Sequence, residues 1–122
     1  MPFDGFVENT QVTDRLVIGR ARIKAGWCQK HLHLTRWSWQ HGKYHEYCVL
    51  GAMGLDFSRP HPERRIALDL IVAAQAELGY GQMQAAEFND HPLRTKAQVL
   101  EVIDVAIAMS RGEYHKIDRR NQ

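Results

Sequence analysis

Cysteine is scarce in this chain of 122 residues, with only Cys28 and Cys48 present. Two thiols cannot build a disulfide framework, and a single bridge between them is unforced. Reduced, mostly buried thiols are the simpler expectation. Long apolar runs are also missing. No stretch reaches the ~18 apolar residues of a membrane helix, and no charged-then-apolar leader opens the chain. The expectation is a cytoplasmic protein with no membrane partner. An excess of one charge is missing too. Sixteen Lys and Arg against fourteen Asp and Glu leave +2, too little to argue for nucleic acid by itself. Internal repeats and low-complexity segments are absent.

What is present is ordinary for a globular protein, 44% apolar and 25% charged residues. A chain of this length suits one domain and can bury roughly two thirds of its unfolded surface. The expected core is residues 10–111, with an N-terminal arm over 1–9 and a polar tail over 112–122. The seven histidines would add positive charge below their ordinary pKa of ~6.5.

Hydrophobic spacing places three main helices. Val12, Leu16, Gly19 and Ile23 share one stripe of a helix that ends at Gly26. Arg15, Arg20, Arg22 and Lys24 lie largely off that stripe and read as a solvated face, while Gly19 suggests close packing. Pro62 suits the first turn of a second helix, with Ile66, Ala67, Leu70, Ile71, Ala74 and Leu78 on one face and Gly79 as its stop. Thr95-Lys96-Ala97-Gln98 fits a capping box that opens a third helix, running to about Ser110.

Between the first two helices, residues 32–49 alternate as a hairpin. His41-Gly42 is a plausible two-residue turn, which would set Trp39 opposite Tyr44 and Trp37 opposite Glu46. The small apolar run Cys48 to Leu55 suits a short buried helix or a tight crossing. Ala85 to Phe88 reads as a short extended piece. Nothing in the order suggests βαβ units, so the fold class is α+β with three main helices and one hairpin.

Most convergent polar chemistry lies in Phe88-Asn89-Asp90, ahead of Arg94 and Thr95. The first amides of a helix and an arginine together suit an anion such as phosphate. Asn89 and Asp90 would then read a ligand's hydroxyls or amides. The competing reading is turn chemistry before His91-Pro92, with Asp90 paired to Arg94.

Gly26-Trp27-Cys28-Gln29, Tyr47-Cys48 with Gly51-Ala52, Phe88-Asn89-Asp90 and Arg94-Thr95 together resemble an uncharacterised family of small actinobacterial and bacteriophage proteins. That family reads Gly-Trp-Cys-Gln, Trp-Cys followed by Gly-Ala, Trp-Asn-Asp, then Arg-Thr before a helix. Tyr47 and Phe88 stand where its tryptophans would, keeping a ring and losing an indole donor. The resemblance spans about residues 12–110. It supports the fold, supplies no reaction, and marks Trp27, Cys28, Gln29, Asn89, Asp90, Arg94 and Thr95 for attention.

Other constellations are weaker. His31 and His33 with His45 or Cys48 fall short of a zinc set, because the expected register puts His45 on the other face. Cys28 or Cys48 lacks a base at a known distance, and no carboxylate pair suggests acid–base work. The reading therefore leans away from an enzyme and calls for no metal or cofactor.

The expected function is a non-catalytic module for a nucleotide-like ligand, using Trp27, Gln29, Phe88, Asn89, Asp90, Arg94 and Thr95. A phage-type relative would make it a sponge for a cyclic nucleotide signal of host defence, with a pocket completed in a homo-oligomer. The alternative is a nucleic-acid or protein interaction module built on Arg36, Trp37, Trp39, Lys43 and Tyr44. Those hairpin rings have a blander reading as cover for the helical core.

Overall fold

The structure is a computed structural model, and it describes residues 9–54 and 61–113. The elements run α1 (Asn9–Ala25), β1 (His33–Ser38), β2 (Gly42–Tyr47), α2 (Val49–Ala52), α3 (Pro62–Glu77), α4 (Ala85–Asp90) and α5 (Lys96–Ser110). The α+β class holds, with three long helices and one antiparallel hairpin among the described residues. Most of the expected arm (1–9), of the loop after the small apolar run (56–62) and of the polar tail (112–122) lies outside the described residues.

Helices α1, α3 and α5 pack on one another, and the apolar stripes explain how. Val12, Leu16 and Ile23 of α1, Ala67, Ile71 and Ala74 of α3, and Val99, Val102, Ile103 and Ala106 of α5 are all buried in one cluster. Gly19 lets α1 approach α2, since a Cβ there would collide with the Met53 thioether. The arginines of α1 do not form a solvated face as expected. Arg15 donates to the Met53 carbonyl at 2.8 Å and Arg22 to the Ala52 carbonyl at 3.0 Å, so both hold the C-terminal end of α2. Arg20 pairs with Asp104 of α5.

Two local expectations need correction. Ala85–Asp90 is helical, not extended, because Gln84 and Glu87 form a reciprocal capping box. The hairpin register also differs. Ser38 pairs with Gly42, Trp37 with Lys43, Arg36 with Tyr44 and Leu34 with Glu46. A type I′ turn at His41-Gly42 needs positive φ at both residues, yet only Gly42 has it, at 67°. The loop is therefore Trp39-Gln40-His41, and the Ser38 hydroxyl accepts from the His41 amide at 3.0 Å.

A buried polar clamp and an open cleft: the candidate site

The motif residues converge on Asn89. The last turn of α4 turns Asn89 inward, fully buried. Its Oδ1 accepts from Trp27 Nε1 at 2.9 Å and from the Val49 amide at 3.1 Å. Its Nδ2 donates to the Cys28 carbonyl at 3.1 Å and to Asp90 Oδ1 at 3.0 Å. Both partners of Oδ1 can only donate, so the amide's orientation is fixed by its neighbours. Gln29 Nε2 donates to the Asn89 and His91 carbonyls at 2.9 and 2.8 Å. Asp90 Oδ1 also receives the amide of Lys30, which sits at φ 68°.

This network joins three elements at one point. Tyr47 donates its amide to the Gly26 carbonyl at 2.9 Å and accepts from the Cys28 amide at 3.1 Å. The segment after α1 therefore lies along β2 as a parallel bridge, Trp27 beside Tyr47. Gly26 permits that approach, since a Cβ there would strike the His45 carbonyl. Gly51 does the same against the Leu32 carbonyl.

Arg94 and Phe88 are engaged as well. The Arg94 guanidinium lies 3.8 Å from the Phe88 ring centroid and 4.7 Å from that of Tyr80, and its Nε donates to the Phe88 carbonyl at 2.8 Å. Burial pulls its pKa below the ordinary arginine value. Asp90 is not its partner. Phe88 is fully buried, packed edge to face with Tyr80 and beneath the Arg94 guanidinium, so its ring offers no face to a ligand. Thr95 Oγ1 accepts from the Gln98 amide at 3.1 Å, completing the expected capping box. The structure thus assembles Trp27, Gln29, Asn89 and Asp90 in one cluster and stacks Arg94 on Phe88, with these polar groups turned on one another.

Beside Asp90 a small cleft of about 140 Å³ opens between Lys30, His31, Leu32, Cys48, Leu50 and Ala86. Its thiol is not activated. Burial raises the Cys48 pKa, although its sulfur accepts from the Gly51 amide at 3.4 Å. Burial first, and then the neighbouring Cys48, push Cys28 up to about 11. Both cysteines are free.

The hairpin supplies what the clamp lacks, which is exposed chemistry. Trp37 is 61% and Trp39 92% exposed, packed edge to face at 4.9 Å. The expectation that these rings cover the helical core is corrected for both tryptophans, which stand largely in water, Trp37 near the end of β1 and Trp39 in the loop. Tyr44 is half-buried, Lys43 exposed, and Arg36 pairs with Glu46. Between α1 and the outer side of β2 lies a cleft of about 480 Å³. Ile18, Ala21 and Ala25 form one wall, and Tyr44, His45 and Tyr47 the other. The Arg22 guanidinium stands 5.7 Å from the Tyr47 ring centroid. Sequence spacing missed this cleft, although Arg22, Tyr44 and Tyr47 were each visible as types.

Among the described residues, no group of three or more His, Cys, Asp or Glu side chains is placed to hold a metal ion, and no helix is long and apolar enough to cross a membrane. Three long helices on a shared core, a projecting hairpin and a buried polar clamp define a small α+β domain. The chain belongs to a family of unknown function, DUF6197, whose profile matches residues 8–109. Comparison with curated proteins and with solved structures returns no match.

Proposed function

We propose that this chain is a non-catalytic binding module for a small, flat, phosphate-bearing ligand of nucleotide type, seated between α1 and β2. The observation that carries the reading is the α1–β2 cleft. At about 480 Å³ it falls in the range of small-molecule sites, roughly 300–1,000 Å³. Its lining pairs apolar surface with the ring of Tyr44, against which a base would stack. Arg22 and His45 are the groups that would meet an anion. The clamp around Asn89 supports this site from behind, because the Gly26 and Cys28 bonds to Tyr47 fix that strand. Sequestering a cyclic nucleotide signal of host defence is one use such a module would serve.

Mass spectrometry of the native and then heat-denatured protein tests this, after exposure to a nucleotide pool that includes cyclic dinucleotides and cyclic ADP-ribose forms. An intact nucleotide is expected in the released fraction. Ala21→Trp fills the cleft from an exposed helix position and should abolish capture while the circular dichroism spectrum stays unchanged. No bound nucleotide, or capture that survives Ala21→Trp, refutes the reading.

One observation favours a second reading. Two largely exposed tryptophans at a hairpin tip are the residue type that dominates macromolecular contact sites. An interaction module would lose its partner on Trp37→Ala or Trp39→Ala and keep it on Ala21→Trp.

A further inference from the structure

We infer that His33 and His45 form a two-histidine chelate for a divalent transition metal ion on the solvent-facing side of the hairpin. The expected register put these residues on opposite faces. The observed one sets His33 opposite Tyr47 and His45 opposite Thr35, so the two histidines are diagonal neighbours on the same face. His33 Nε2 and His45 Nδ1 lie 2.8 Å apart. Each neutral imidazole carries one proton, so this contact uses a lone pair on one nitrogen and the proton on the other. Zinc binds imidazole nitrogen at about 2.0–2.1 Å in a tetrahedral set, which puts two such nitrogens about 3.3 Å apart. Replacing the shared proton by an ion therefore widens the pair by roughly half an ångström and turns each ring by about 35°, so that both lone pairs converge on an ion beside the N–N line.

The strands already bring the rings together. His33 stacks on Tyr47 with centroids 4.8 Å apart and meets His45 edge to edge, centroids 5.0 Å apart. The strand ladder holds both backbones, and Tyr47 is itself fixed by Gly26 and Cys28. Two donors ordered in advance lose less freedom on binding than two free side chains would. The Thr35 hydroxyl lies 3.5 Å from His45 Nδ1, at the margin of the pair. No third strong protein donor joins them among the described residues, so water fills the remaining positions and the ion stays open to an anion. His45 also lines the α1–β2 cleft, yet the chelate needs only the two imidazoles and stands without the ligand reading.

The test uses the full chain stripped with a chelator and then titrated with Zn²⁺ alone and with Cu²⁺ alone, by calorimetry and by electron paramagnetic resonance for copper. One equivalent should bind, copper more tightly than zinc, with nitrogen splitting from two imidazoles. His33→Gln and His45→Gln should each weaken binding roughly tenfold or more, as losses of metal-site partners do. His31→Gln, in an exposed control position, should change nothing. Unaltered circular dichroism separates loss of the site from loss of the fold. Binding by the wild type no tighter than by the double variant overturns the inference, as does a copper spectrum with one nitrogen or none.

Discussion

Asn89→Ala is the sharpest probe of the clamp. The substitution removes two acceptor and two donor contacts at once. The four partners do not suffer equally. Trp27 and Asp90 are half-buried, so water can replace the lost bond at their polar atoms. The Val49 amide belongs to a residue only 1% exposed, and the Cys28 carbonyl to one 6% exposed. Leaving a buried backbone group unpaired costs about 1–3 kcal/mol. Two such groups at the middle of that range give about 4 kcal/mol, before any cavity. A domain of this size has about 5–15 kcal/mol in total, so the variant should sit near the edge of folding at 37 °C. Urea denaturation followed by circular dichroism reads the change directly. Asn89→Asp should be no milder, because an acceptor would then face the Cys28 carbonyl and Asp90. A loss below about 1 kcal/mol for Asn89→Ala would refute the claim that this amide joins α4 to the start of α2 and to the segment after α1, since it would mean the backbone groups find other partners.

Three further outcomes follow from the same geometry. Gly26→Ala and Gly51→Ala drive a methyl into backbone carbonyls and should cost about 3 kcal/mol each. Gly19→Ala meets only the flexible Met53 thioether and the Ala52 carbonyl edge and should cost about 1 kcal/mol, all three read as denaturation midpoints. Arg94→Ala should lose about 2 kcal/mol through its stack on Phe88 and its bond to that residue's carbonyl. Arg94→Lys should not restore it, because an ammonium cannot reproduce a planar stack. The Cys28 pKa is raised from 9.0 to about 11, so the folded state holds its proton more tightly than the unfolded one. Below pH 9 both states are protonated and the thiol has no pH effect. Between pH 9 and about 11 the unfolded state alone ionises, so stability should fall with rising pH across that window. Cys28→Ala should flatten the fall, and a slope unchanged by that variant contradicts the assignment.

The sequence located the long elements well. Helical periodicity and capping residues marked α1, α3 and α5 to within a few residues, because each buries one stripe and carries its own start or stop. The Thr95 box was legible because both of its bonds are local. α4 was missed for the opposite reason. Six residues are too few to show a period, and the Gln84–Glu87 box uses Gln as the cap, outside the usual hydroxyl set. The hairpin turn was misjudged by a local preference for His-Gly, when the Ser38 side chain and Gly42 favoured a loop one residue longer. That shift decided which side chains share a face, and so it decided the meeting of His33 with His45.

The identity of the motif residues was readable in the chain, and their meaning was not. Trp27, Gln29, Asn89 and Asp90 look alike in sequence whether they read a ligand or brace a fold. Contacts spanning about sixty positions, such as Trp27 to Asn89, turn them toward one another. By itself the sequence determined the fold class and the stripes that form the core, because those rest on spacing along a single element. Only the tertiary structure decided which polar groups are satisfied inside, which aromatic rings remain in water and where a cleft opens. Each of those depends on surfaces brought together from elements far apart in the chain.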